Sequence, residues 1–306
     1  MTIETLKTYA LRTVRPHESR DRLLTTYGLF LATLLIALTA IRVTGCGWDG
    51  LWVSLIDKLV AGVLLAIIAL VWYRLTAPRS GFAEDLEVVE AWNNNPKLRT
   101  PLSSTKAYWF RGRSGRWFRN VAIPALSSAA SRDQITRTIT MILPDPNDRT
   151  VLKAYADHRN SLATGGGERW TPERIRLEIL ATIIVAGQTA AYNRLFTTRV
   201  FLIPDFSVFR YDLSDAGLMM TREDPRLPGW FSREGTRFFA SVREDLRIAT
   251  ERGREVTLSQ VQWPQLLIPV ADLQSLIEQL GFNFPLSDED AQALHEVIEN
   301  KDDPYA

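Results

Sequence analysis

Two long apolar runs open the chain, and after them the pattern changes to short alternating stretches separated by charged, helix-periodic segments. Leu23 to Ile41 contains 19 uncharged residues between Arg22 and Arg42. As a helix this run rises about 28 Å, close to the hydrocarbon thickness of a bilayer. It is too long for the apolar core of a signal peptide, which predicts a retained anchor. The second run, Leu59 to Tyr73, is uncharged for 15 residues and needs Leu51 to Ile56 to reach across, so Asp57 and Lys58 fall within the span. Two readings of that pair stay open: groups that line a pore or meet another subunit, or groups that snorkel to the nearer interface. Trp48, Trp52, Trp72 and Tyr73 fall where interfacial aromatic rings are expected. Lys7, Arg12, Arg15, Arg20 and Arg22 precede the first run and Arg74 and Arg79 follow the second, whereas the short loop between them carries only Arg42. That bias predicts both termini on the cytoplasmic side of a cell inner membrane.

Phe82, Leu86 and Val89 have helical spacing and predict a short amphipathic connector ending at Asn93-Asn94-Asn95-Pro96, with Lys97 to Thr105 as a linker. Ala107 to Gly112 predicts a strand, Arg113-Ser114-Gly115 a turn, and Arg116 to Ser131 a helix interrupted at Pro124. Ile135 to Leu143 alternates as a strand, and Asp148 is placed to cap a helix over Arg149 to Leu162. A glycine-rich loop, Thr164 to Thr171, leads into a helix from Pro172 to about Phe196; no Lys-Ser/Thr pair follows the glycines, so it is not a phosphate-loop fingerprint. Thr198 to Ile203, Ser207 to Leu213 and Gly217 to Thr221 predict three more strands, and Ser232 to Arg252 a charged amphipathic helix. The fold class that follows is α/β with a largely parallel sheet behind a two-helix transmembrane hairpin. The predicted divisions are a basic N-terminus (1–22), the hairpin (23–75), a connector (76–106), the α/β domain (107–256) and a C-terminal helical appendage (257–306), the last with helices over Ala271 to Leu280 and Ser287 to Asn300.

Charge changes this picture little in sum and more in detail: 36 Lys and Arg against 35 Asp and Glu leave no global field to attract polyanions. Cys46 is the only cysteine, which excludes an intrachain disulfide, and His17, His158 and His295 are too scattered for the usual zinc spacings, so no metal or cofactor is expected.

Arg111, Arg113, Arg116 and Arg119 are interleaved with Tyr108, Trp109, Phe110, Trp117 and Phe118, and no acid occurs from Thr105 to Ala130. Guanidinium groups bind phosphate bidentately, aromatic faces stack on bases, and a helix start after Ser114-Gly115 offers free N–H groups. The candidate ligand site is therefore Arg111, Arg113, Ser114, Gly115, Arg116, Trp117 and Arg119. The alternative assigns the aromatics to the core and the arginines to internal acids. Arg210 and Asp212, two apart in a strand, share one face and either join that site or form a buried ion pair. Asp145, ending the second strand, is read as a turn residue or a catalytic one.

The succession AYWFRGRSGRWFR, ITMILPDPND with AYADHR, and RVFLIPDFSVFRYDLSD resembles degenerate phospholipase D-like domains over roughly Ala107 to Arg252. Active members use two His-x-Lys-x(4)-Asp motifs, and neither is present here. The resemblance implies a fold that binds phosphate or nucleic acid, DNA included, and has lost hydrolysis; the chain is expected not to be an enzyme. Two membrane helices ahead of such a domain also look like membrane effectors of bacterial anti-phage systems, the Hailong type being one candidate. There a nucleotide or short oligonucleotide, made by a nucleotidyltransferase encoded nearby, controls an ion channel. One hairpin cannot enclose a conducting path, so that reading requires a homo-oligomer, for instance a tetramer. Two other readings remain: a membrane-tethered phosphodiesterase using Asp145, Asp212 and Asp215 around magnesium, and a scaffold that recruits a protein to the bilayer.

Overall fold

A computed structural model describes residues 16–44, 50–76, 85–162, 169–264 and 267–303. The basic residues at 7, 12 and 15, Cys46, the amphipathic start at Phe82 and the glycine triplet at 165–167 lie outside them. The chain divides into two units, Met1–Ala83 and Glu84–Ala306.

The first unit is a pair of helices, α1 (Pro16–Thr44) and α2 (Gly50–Thr76), which pack side by side. The stretches Thr26–Ile41 of α1 and Val53–Trp72 of α2 are predominantly apolar, and large side chains there stay uncovered: Phe30, Ile36, Leu65 and Trp72 are all more than half exposed. The hydroxyls of Thr33 and Thr39 donate to the carbonyls of Leu29 and Leu35 one turn earlier, an arrangement that satisfies a hydroxyl without water. Val53–Trp72 within α2 is long and apolar enough to cross a bilayer, with mean hydropathy 2.3, whereas the apolar stretch of α1, Thr26–Ile41, is shorter. Asp57 and Lys58 are exposed, unlike Ile56 beside them, which is buried.

The second unit is built on one eight-stranded sheet: β1 (Glu87–Val89), β2 (Ala107–Arg111), β3 (Arg137–Pro144), β4 (Phe196–Ile203), β5 (Arg210–Ser214), β6 (Gly217–Thr221), β7 (Gly229–Arg233) and β8 (Arg254–Glu255). Their spatial order is β1-β7-β6-β5-β2-β3-β4-β8. Only β2, β3 and β4 run parallel, and every other pairing is antiparallel. The sheet is thus mixed rather than largely parallel. The reason lies in the connections: Asp215 and Ala216 alone join β5 to β6, and a two-residue turn permits only antiparallel neighbours. Helical crossovers, by contrast, link β2 to β3 through a π turn (Phe118–Ala122) and α4 (Ile123–Asp133), and β3 to β4 through α5 (Arg149–Leu162) and α6 (Pro172–Tyr192). Asp148 caps α5 as its position in the sequence predicts, accepting from the Thr150 and Val151 amides.

Residues 85–105 differ from expectation. Val88 and Val89 extend the sheet as β1 against β7 instead of forming a helix, because a short isolated helix is marginal while a free sheet edge supplies hydrogen bonds at once. The supposed linker holds α3 (Asn94–Arg99) and a 3-10 turn (Thr100–Ser103), which bury Leu98 and Leu102.

Strand alternation divides the core between the two faces of the sheet. Tyr108, Phe110, Ile139, Met141, Val200 and Leu202 face α4 and α6. Ile142, Phe201, Ile203, Leu213 and Leu218 face Phe239 and Leu246 of α7 (Arg237–Arg252). The C-terminal helices α8 (Leu273–Gln279) and α9 (Asp288–Glu299) place Leu273, Leu276, Ile277, Leu294 and Ile298 in the first of these cores, so they are integral to the unit rather than appended to it.

Candidate functional site

The parallel strands β2 and β3 have antiparallel β5 on one side, so the end of β2, the start of β5 and the exit of β6 lie along one edge of the sheet. That edge, at the carboxyl ends of parallel strands, is where open α/β sheets leave a crevice. Here it holds a cleft of about 240 Å³ whose lining includes Arg113, Ser114, Gly115, Arg116, Arg159, Arg210 and Glu223. Gly115 makes the turn from β2 into the helix with φ of +74°, and a Cβ at that position would fall 2.7 Å from Thr182 Cγ2. Both facts require glycine. The Thr182 hydroxyl in turn donates to the Ser114 carbonyl at 2.6 Å, which fixes the turn against α6.

The floor of the cleft is a buried polar network. Arg210 donates from Nη2 to Asp212 Oδ1 at 2.7 Å and is ion-paired to the same carboxylate, and the Tyr108 hydroxyl donates to Oδ1 at 2.8 Å. The Arg210 guanidinium lies 4.4 Å from the centre of the Trp117 ring. Of the two readings of Arg210 and Asp212, the structure has both: a buried ion pair, with Arg210 also lining the cleft.

One wall is held by Glu223, in the turn after β6. Its carboxylate receives Arg113 Nε at 2.9 Å, Arg159 Nη1 at 3.1 Å and the Tyr155 hydroxyl at 3.2 Å. Each arginine has a second restraint: Arg113 Nη1 donates to the Val208 carbonyl at 2.8 Å, and the Arg159 guanidinium lies 3.4 Å from the Trp170 ring centre. Arg116, half-buried at the mouth, has no ion pair or hydrogen bond among the described residues. Four guanidinium groups thus converge with one carboxylate lining the space, an arrangement that accepts an anion.

Not every predicted residue arrives there. Arg111 projects from the opposite face of β2 and pairs with Asp245 on α7 at 3.0 Å and with Asp205 at 3.3 Å; an odd spacing from Tyr108 and Phe110 decides this. Trp117 does line the cleft, but it is buried, with its indole N–H on Asn95 Oδ1 at 3.2 Å and Arg210 over its face. Arg119 turns inward to Glu178 at 3.0 Å, and burial lowers its pKa from the ordinary arginine value. The aromatic partners of the motif are core: Phe110 and Phe118 stack at 4.3 Å. The three aspartates proposed for magnesium do not meet. Asp212 is buried under the cleft, Asp215 accepts from the Lys106 amide at the start of β2, and Asp145 faces Arg254 at the far end of parallel β3.

Arg159 and Glu223 escaped the sequence reading, because AYADHR and TREDPR carry no spacing that marks them; only folding brings α5 and the β6–β7 turn to the end of β2. The buried phenols of Tyr108 and Tyr155 have pKa values pushed up from the usual 10.0, first by burial and then by the charges of Asp212 and Glu223. A group with a raised folded-state pKa contributes stability that is fully present below its unfolded value and is lost as pH rises through the folded one. Denaturant midpoints are therefore expected to hold up to about pH 10 and to fall above it, with the phenolate absorbance of these two residues appearing only on unfolding.

No family model matches this chain, and no curated protein matches it. Among solved structures, the archaeal chromatin protein TrmBL2, described as showing a novel mode of DNA binding, is similar with a TM-score of 0.34 and 14% identity, covering 65% of each chain. The chain thus spans just under two thirds of that protein's length.

Proposed function

We propose that this protein is a membrane-anchored effector controlled by a nucleotide or another phosphorylated ligand, with α1 and α2 in the bilayer and the ligand bound in the cleft at the end of β2. The carrying observation is Arg116: a half-buried guanidinium without an ion pair or hydrogen bond among the described residues, facing a space that three restrained arginines already make positive. A phosphate is the common dianion with the shape to take several guanidinium forks at once. The resemblance to degenerate phospholipase D-like domains is in keeping with such a ligand.

Membrane anchoring is supported by the uncovered apolar surface of α1 and α2, which in water would cost about 25 cal/mol per Å² and invite association. Pro172–Tyr192 is as long and also apolar, but two thirds of it is buried, so its apolarity is that of a core helix. A single hairpin has no interior, so an effector acting through the bilayer would work as a homo-oligomer in which Asp57 and Lys58, exposed in one chain, meet other copies. This reading puts both termini on the cytoplasmic side of the inner membrane.

The test is Arg116→Ala in the full chain in detergent, titrated with inorganic phosphate and pyrophosphate and followed by calorimetry. Affinity is expected to fall about tenfold or more, the worth of a charge-assisted bond, with the circular dichroism spectrum unchanged. Equal affinity would remove the assignment. Arg113→Ala is a poorer probe, since it leaves a half-buried Glu223 network incomplete and perturbs folding as well.

A further inference from the structure

Arg116 borders a second space as well. A groove of about 490 Å³ runs between the start of α6, α9 and the helix that begins at Arg116. Its walls differ in sign. Arg116, Arg169 and Arg174 stand on one side, together with Glu173 and with Glu178, which is paired to Arg119; Asp290 and Glu296 of α9 and its C-cap Asn300 stand on the other, with Leu177, Ala293 and Val297 forming an apolar strip along the groove. Arg169 has no ion pair among the described residues, and neither has Asp290 or Glu296. Helix electrostatics account for Asp290, which lies in the first turn of α9, where acids are favoured. They do not account for Glu296, in the C-terminal half of a helix that has no basic residue in its last turn. Glu296 is exposed and accepts from Gln292 Nε2 at 3.1 Å one turn earlier, and its second carboxylate oxygen has no partner among the described residues.

We infer that the two spaces form one bipartite site for a nucleotide, with the phosphate held at Arg116 and the nucleoside lying in the groove along α9. The volume is in the range of small-molecule sites. Asp290, Glu296 and Asn300 are acceptors suited to ribose hydroxyls and base amino groups, which a free phosphate lacks, and the strip of Leu177, Ala293 and Val297 suits the face of a base. The acidic wall disfavours an extended polyanion, whose successive phosphates would run against it, so the preferred ligand is a mononucleotide or a short oligomer rather than duplex DNA.

This inference rests on the anion site proposed above, and the experiment separates the two. The full chain in detergent is titrated with inorganic phosphate, ribose 5-phosphate and an equimolar mixture of nucleoside 5′-monophosphates, as wild type, Arg116→Ala and the double variant Asp290→Asn/Glu296→Gln. Expected is binding of the nucleotides at least about tenfold tighter than phosphate, a loss of most of that advantage in the double variant with phosphate affinity retained, and weakening of all three ligands by Arg116→Ala. If nucleotides bind no tighter than phosphate, or the double variant keeps the full advantage, the groove takes no part and only the anion site survives. If Arg116→Ala leaves phosphate and nucleotide binding unchanged, the anion site and the bipartite site both fail.

Discussion

Replacing Asp212 with alanine is expected to destabilise the unit of residues 84–306 by about 3–5 kcal/mol, the cost of leaving a buried charge without its partner. Arg210 is almost fully buried, and its ion pair in that environment is Asp212, which also receives the Tyr108 hydroxyl. Removing the carboxylate orphans the guanidinium and the phenol together. The effect is distinguishable from lost packing by a second variant: Arg210→Met with Asp212→Leu, which removes both charges, should recover much of the loss, because a buried pair contributes little net stability against apolar residues of similar volume. Chemical denaturation of the two variants decides it. If Asp212→Ala costs no more than the double replacement, the pair is not the element holding β5 against β2. Since Arg210 also lines the cleft, the double variant should fold yet bind phosphate more weakly than the wild type.

The second large effect runs in the direction of gain. Glu223→Gln is expected to tighten phosphate binding by about tenfold to a hundredfold, corresponding to removal of one like charge about 6–12 Å from the bound anion at an effective dielectric constant near 20. The substitution keeps the shape of the side chain. Arg113 remains held by the Val208 carbonyl and Arg159 by the Trp170 ring, so both guanidinium groups stay aimed at the cleft after their shared counter-ion has gone. Stability should drop at the same time, because two partly buried arginines then face each other uncompensated. Titration with inorganic phosphate at low and high salt is the measurement. A tighter and more salt-sensitive complex supports Glu223 as an internal stand-in for the ligand anion. A weaker complex would mean that Glu223 is needed to orient the arginines, and the site would then be read as structural.

Much of the architecture is legible along the chain, because it depends on local periodicity. The apolar runs from Leu23 and from Leu51 are helices, and β2, the Gly115 turn, β3, α5, α6 and the β5–β6 hairpin all follow from alternation, glycine and capping residues that act within a few positions. Arg210 and Asp212 could be placed on one strand face by their spacing of two. Partner choice across the sheet is not local. Phe82, Leu86 and Val89 have spacing that a short helix could use, and only the free edge of β7 makes Val88 and Val89 part of a strand. That β5 pairs antiparallel with β2, about a hundred positions away, is likewise a matter of tertiary placement.

The site shows the same division in chemical terms. Sequence by itself determines that arginines and aromatics crowd around a Ser-Gly turn with no acid among them. It cannot tell a free guanidinium from a neutralised one, because the neutralising acids come from 59 to 134 positions away: Asp245 for Arg111, Glu223 for Arg113 and Glu178 for Arg119 each reach over from another element. Arg116 differs from its three neighbours in having no ion pair or hydrogen bond among the described residues. Charge compensation acts over a few ångströms of space, whatever the separation along the chain, so tertiary structure alone singles out the arginine of this motif that stays unpaired among the described residues.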